Sequence, residues 1–115
     1  MTIREDAKRI IDTSIRAVLP DAAVQRALEG FTPPAGRLVL VALGKAAWQM
    51  AAAAADCLGD AVSDGVVITK YGHAKGDIPH VRIREAGHPV PDQNSFDATA
   101  EAVSLVGPLG AQDDV

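Results

Sequence analysis

Between Arg37 and Met50 the chain reads RLVLVALGKAAWQM, an apolar run that meets a Gly-Lys pair and passes at once into alanines. Few stretches limit a fold more tightly. Leu38 to Leu43 has the length and the β-branched content of a strand covered on both faces, as in a parallel sheet. Gly44 permits a tight turn. Ala46, Ala47 and Ala51 to Ala55 are strong helix formers, so a helix is predicted from Lys45 or just after it to Gly59, a residue suited to follow a helix end.

The predicted turn has a chemistry of its own. The first turn of a helix presents unpaired N–H groups and the positive end of the helix dipole, which attract anions. Lys45 would add a full positive charge at the carboxyl end of the strand, where open α/β sheets bind ligands. The ligand expected there is anionic, a carboxylate or a phosphate. The turn is not a P-loop, because Val39 stands where the first glycine of G-x-x-x-x-G-K-[ST] belongs and Ala46 where the hydroxyl belongs. A dinucleotide fingerprint is also missing, since Gly44 has no companion glycine before Gly59. Taken alone, the turn leaves two readings open: a ligand-binding lysine, or a lysine capping a strand end in solvent.

A chain of 115 residues suits one domain. Its net charge of −4 argues against general binding to nucleic acid or membrane surfaces, which favour basic faces. Aromatic residues make up 3% of a chain that is 48% hydrophobic, so the core is aliphatic and fits helices packed on a sheet better than an all-β sandwich. The expected class is α/β. Cys57, the only cysteine, lies within the predicted alanine-rich helix and reads as a buried packing residue. No signal-peptide core or membrane-spanning stretch is present, which makes the cytoplasm the expected location.

On the N-terminal side, Ala7, Ile10, Ile11, Ser14, Ile15 and Val18 recur at helical spacing, which predicts an amphipathic helix broken at Pro20. A short helix over Asp21 to Leu28 follows, ended by Gly30, and Thr32 to Gly36 forms a stiff connector. Beyond the alanine helix, Gly65 to Thr69 is a second β-branched run, and strand, helix, strand implies a parallel crossover. Val81 to Ala86 is a third strand, whose alternation with Arg82 and Arg84 gives it one wet face near the sheet edge. The two prolines of Gly87 to Asp92 make a rigid loop. Asn94 or Ser95 would cap a last helix reaching Val106, with Phe96, Ala100, Val103 and Leu105 as its apolar contacts. Gln112 to Val115 reads as the approach to a further strand, so the expectation is a chain cut in mid-domain.

In a parallel sheet the segments after the strands share one edge: Gly44-Lys45, Lys70 to His73, and Gly87 to Asp92. From Lys70 to His88 the cationic or titratable residues are Lys70, His73, Lys75, His80, Arg82, Arg84 and His88, against Asp77 and Glu85 as the acids. A positive rim on an acidic chain suits a small anion, although Lys75, Arg82 and Arg84 read better as a solvated face. The histidine spacing does not suit zinc. His88 is either a substrate donor or a loop-shaping side chain. Asp92 reads as a helix-end residue rather than a catalytic base.

Three motifs in order, LGKAAWQMA, VVITKYGHAKG and IREAGHPVPDQNS, resemble the N-terminal part of class II glycerate 2-kinases. The resemblance covers essentially the whole chain, with the first helices matching only in general character. It implies the first part of an N-terminal Rossmann-like domain, three-layered with a mostly parallel sheet that is incomplete here, and a smaller MOFRL-type C-terminal domain that is absent. It further implies phosphorylation of D-glycerate at the 2-hydroxyl by ATP with Mg2+, giving 2-phosphoglycerate. The GKAA lysine of the family lies in the active-site cleft, so the resemblance gives a catalytic role to Lys45. It also gives substrate-side roles to Gly44, Lys45, Lys70, His73 and His88, lining or bracing the cleft.

Members of this family have also been labelled hydroxypyruvate reductases, which the missing dinucleotide fingerprint argues against. The family's SGGGS-like loop and its second domain have no counterpart among these residues. The chain alone is therefore expected to be inactive or nearly so, since phosphoryl transfer depends on positioning both substrates and the metal. A sheet stopped before a strand would also leave an edge that encourages pairing with another copy. A non-catalytic anion-binding or assembly module is the alternative reading.

Overall fold

A computed structural model describes all residues from Met1 to Val115. Two helices lead, α1 (Ile3–Val18) and α2 (Pro20–Ala27), followed by strand β1 (Val39–Leu43) and helix α3 (Ala47–Leu58). Strands β2 (Asp64–Lys70) and β3 (Val81–Ala86) come next, and helix α4 (Gln93–Val106) ends the regular structure. The strands lie in the order β1-β2-β3, and both pairings are parallel. The class is α/β, as the alternation of apolar strands and alanine-rich helix predicts.

Strand parity sorts the side chains into two faces. Leu40 and Ala42 of β1, Val67 of β2, and Val81 and Ile83 of β3 gather with Ala47 and Ala51 of α3 in one cluster. Arg82 and Arg84 alternate with Val81 and Ile83, and both pair with Glu101 of α4. Helix α4 therefore covers the opposite face, giving three layers. Val66 and Val67, neighbours on central β2, point to opposite faces and are both fully shielded. Burying a valine on each side stabilises the sheet by roughly 1.5–3 kcal/mol per side chain.

No helix makes the crossover from β2 to β3. The loop instead inserts Ile78, 5% exposed, beneath α3 as part of the main cluster. Ile78 also bridges Val81 in an antiparallel sense, so the loop folds back to start β3. The side of α3 that faces the sheet is made of alanines, and Ala47, Ala51, Ala53 and Ala54 are all buried. Small residues let this helix sit close to the strands.

Several expectations need correction. β1 is an edge strand and is not covered on both faces: Leu43 is 66% exposed. A groove of about 340 Å³ runs along its edge, lined only by hydrophobic residues, among them Val24, Phe31, Val41, Met50 and Val115. At the mouth of that groove Leu38 forms a parallel bridge with Asp114, with Val39 N–H donating to the Asp114 oxygen at 3.0 Å. The chain therefore starts a third parallel pairing, in line with the strand approach read at Gln112 to Val115.

Cys57 is exposed, not buried, in the last turn of α3. Helix α4 buries Ala98 and leaves Phe96 and Val103 each 61% exposed. Its inner stripe of Ala98, Ala102 and Leu105 is offset from the face predicted from the bulkier residues, because close packing on the sheet selects small side chains. Its N-cap is Asp92, with Ser95 as the reciprocal partner, rather than Asn94 or Ser95 itself. Arg82 and Arg84 are exposed, as a solvated face would be, and in addition hold Glu101, with Arg82 also reaching Asp64 at 3.1 Å. These guanidiniums, with Arg84 the larger influence, hold the Glu101 carboxyl below the usual range. Helix α1 forms where predicted and is closed by a Thr2–Glu5 capping box, yet none of its residues is buried.

Candidate functional site

The site is built where the strands end. Gly44 takes φ +109°, which favours glycine, and its N–H donates to the Ile68 oxygen of β2 at 3.0 Å. The chain can then turn from β1 into α3 within Gly44 to Ala46, and Ala47 N–H donates back to the Gly44 oxygen at 3.1 Å. Ala46 stands at the N-cap without a side chain able to cap, so the first helical turn is left open beside Lys45.

The loop after β2 folds over this turn. His73 Nδ1 lies 3.0 Å from the main-chain oxygen of Lys45. A carbonyl oxygen only accepts, so Nδ1 carries a proton. Buried Thr69 donates its hydroxyl to the same oxygen at 3.5 Å. Further along, Trp48 Nε1 donates to the Gly76 oxygen at 2.8 Å. The loop is thus tied to the start of α3 at residues 73 and 76, and Lys75 is held between the two ties.

Together these ties form a small open cleft of about 220 Å³, lined by Lys45, Trp48, Gln49, Gly72, His73 and Lys75. No carboxylate lines it, and neither lysine makes an ion pair. The arrangement can receive a small anion beside two ammonium groups. It offers nothing suited to a cation, and nowhere in the chain do three or more His, Cys, Asp or Glu side chains gather as a metal site would need.

The predicted residues divide here. Lys45 and His73 line the cleft together, and Gly44 lies in the turn before Lys45, outside the lining. Lys70 ends β2 with an exposed side chain and does not line the cleft. His88 is exposed in the neighbouring loop, before a cis peptide to Pro89, and also lies outside the lining. Lys75, read as a solvated surface lysine, lines the cleft beside Lys45. The positive run between Lys70 and His88 is dispersed by the fold: Arg82 and Arg84 turn to α4, and His80 stands 3.7 Å from Asp60.

A second set of bonds braces the β2 loop from the far side. Tyr71 hydroxyl donates to Asp92 Oδ2 at 2.5 Å and accepts from Asn94 Nδ2 at 2.8 Å. Gly72 N–H donates to the Glu85 carboxylate of β3. Asp92 Oδ1 meanwhile accepts from the backbone N–H groups of Gly87 and Ser95, each at 3.1 Å. The Tyr71 hydroxyl, followed by the Gly87 N–H, pulls the Asp92 carboxyl down to about 2, and the same bond raises the Tyr71 phenol. Asp92 is a helix-end residue, as its place before α4 suggested.

With this geometry in view, the chain can be set beside known proteins. A family model described as Domain of unknown function (DUF4147) matches residues 6–115. The chain belongs to the DUF4147 family. Among curated relatives, a D-glycerate 2-kinase of Thermotoga maritima is 46% identical over 114 residues, which is 99% of this chain and 27% of that protein. An Agrobacterium vitis protein with the provisional name of a hydroxypyruvate reductase is 37% identical over 98% of this chain and 25% of its own length. The crystal structure of glycerate kinase from Thermotoga maritima superposes with a TM-score of 0.83 at 48% identity, covering 93% of this chain and 25% of that one. This DUF4147 chain therefore spans about a quarter of the length of the relatives it matches.

Proposed function

We propose that this chain is the N-terminal part of the Rossmann-like domain of a glycerate 2-kinase, which transfers the γ-phosphoryl group of ATP to the 2-hydroxyl of D-glycerate. The observation that carries this reading is the 48% identity and TM-score of 0.83 to a glycerate kinase over 93% of the chain. The cationic cleft beside Lys45 supports it from the chemistry. In this reading the Lys45 ammonium holds the glycerate carboxylate or neutralises charge on the phosphoryl group in transfer. His73 contributes its imidazole to the cleft wall beside Lys45. Gly44 allows the turn that presents Lys45, and Lys70 and His88 brace the neighbouring loops.

Mg2+ is a different matter, because a cleft lined by two lysines and a histidine does not fit a divalent cation. This chain's residues are therefore given no metal-binding step. The 115-residue chain is expected to bind glycerate without turnover, since phosphoryl transfer needs both substrates and the metal positioned together. Small molecules are the proposed partners, with no nucleic acid or membrane, on a chain of net charge −4 in which no helix is long and apolar enough to cross a membrane. Dependence on ATP favours the cytoplasm. The open edge and apolar groove of β1 also favour pairing with another copy.

The test is isothermal titration of the chain with D-glycerate, with and without Mg-ATP, beside a coupled assay for ADP release. Binding that Lys45→Met abolishes, without ADP release, supports the reading. Turnover by the chain alone would require a complete active site here. Absence of binding would reduce the segment to scaffold. The provisional reductase name of the Agrobacterium relative favours a second reading, which predicts nicotinamide binding that the missing glycine fingerprint argues against.

A further inference from the structure

The Tyr71 hydroxyl is the one side-chain link between the β2 loop and the N-terminus of α4, and it does more than staple a helix. Three elements grip three successive residues of this loop. Asp92 at the cap of α4 takes Tyr71, Glu85 of β3 takes the Gly72 N–H, and the Lys45 carbonyl takes His73. The first grip depends on a carboxylate whose two oxygens are divided between tasks. Oδ1 serves the helix cap and the Gly87 N–H, which leaves Oδ2 to the phenol. Asn94 completes the hydroxyl by donating to its oxygen. A phenol donating to an ionised carboxylate makes a strong, directional bond, and the low Asp92 and high Tyr71 values agree that this protonation state holds at neutral pH.

We propose that Tyr71 is a positioning residue: its bond to Asp92 fixes the β2 loop so that His73 stays docked on the Lys45 carbonyl in the wall of the cleft. Tyr71 does not line the cleft. It acts through the loop. Because His73 follows two residues later, any swing of the loop about Lys70 moves the imidazole and the Lys45 turn together. The functional consequence, glycerate affinity, rests on the kinase reading; the geometric one does not.

The experiment compares the 115-residue chain with Tyr71→Phe and Arg84→Met by NMR of the imidazole 1H–13C signals, with His73 assigned through His73→Gln. Each protein is then titrated with D-glycerate. Tyr71→Phe keeps the ring and removes only the hydroxyl, while Arg84→Met weakens the α4 contact at Glu101 without touching the loop. The expected result is a shifted or broadened His73 signal and about tenfold weaker glycerate binding in Tyr71→Phe, with both readouts unchanged in Arg84→Met. Asp92→Asn, which retains an N-cap, should reproduce the His73 change and guards against a Tyr71→Phe chain that fails to fold. A His73 signal identical in Tyr71→Phe and the parent, or moved equally by Arg84→Met, would overturn the proposal. If the parent binds no glycerate, the kinase reading suffers and the imidazole comparison still decides the positioning role.

Discussion

His73 Nδ1 lies 3.0 Å from the main-chain oxygen of Lys45, and this contact joins the turn after β1 to the loop after β2. A residue read from sequence as one polar member of a loop thereby becomes part of the wall around the predicted catalytic lysine. The second tie, from Trp48 Nε1 to the Gly76 oxygen at 2.8 Å, holds Lys75 at the same cleft. Removing it with Trp48→Phe leaves the aromatic ring and deletes one hydrogen bond, a loss of ~1 kcal/mol. Loop opening should then rise about fivefold. Limited trypsin digestion reads this directly as faster cleavage after Lys75 in the variant, and equal rates would show that the tie does not restrain the loop.

Gly65 begins the buried part of β2 at a point where a side chain has no room. A Cβ there would stand 2.6 Å from the Leu40 oxygen and 3.2 Å from a methyl of Val81. Gly65→Ala must push β1 and β3 away from β2, at a cost of about 1–3 kcal/mol for overpacking. Urea unfolding followed by circular dichroism should show a lower midpoint with an unchanged slope.

The contrast between α1 and β2 gives a paired prediction. Val67 is 0% exposed at the centre of the sheet, so Val67→Ala should cost roughly 2 kcal/mol through lost burial and a residual cavity. Ile10 on α1 is 65% exposed with no partner in this chain, so Ile10→Ala should change stability by no more than about 0.5 kcal/mol. A large loss at Ile10 would mean that α1 is covered in solution.

Acid should weaken the α4 cap through Asp92. Its carboxyl falls from an ordinary 3.8 to about 2 in the fold, first through the Tyr71 hydroxyl and then the Gly87 N–H. A depressed carboxylate contributes stability that is fully present above 3.8 and is lost as pH falls towards about 2. The group is solvent-accessible, so screening keeps the contribution small. The difference in urea midpoint between the parent and Asp92→Asn should be largest near neutrality and shrink across that window. A difference constant with pH would contradict the role given to the ionised form.

The strands and the turn were legible because their signals are local. An apolar β-branched run, a glycine at the bend and an alanine block identify β1, Gly44 and α3 without reference to the rest of the chain, and the parallel order follows from strand, helix, strand. Packing distance, by contrast, is not written in local sequence. Phe96 and Val103 are the conspicuous apolar residues of α4, yet Ala98 is the one that fits against the sheet. Cys57 has a residue type that favours the interior, yet it is exposed. Lys75 is exposed, as its sequence context suggests, and nothing in the order of residues reveals that the Trp48–Gly76 bond brings it to the cleft. The gathering of Lys45, His73 and Lys75 is produced by long-range hydrogen bonds, whereas only the sharing of one sheet edge was readable beforehand.

The proposed function gives this chain the Lys45 side of a glycerate kinase site. The most direct measurement replaces the matching quarter of the Thermotoga maritima D-glycerate 2-kinase with this chain and follows ADP release with D-glycerate and Mg-ATP. The account predicts turnover by the chimera, and a loss of about 10²–10³ in kcat/KM on Lys45→Met, the scale of removing one charge-stabilising group. A folded chimera without turnover, or one whose kcat and KM are unmoved by Lys45→Met, would contradict it.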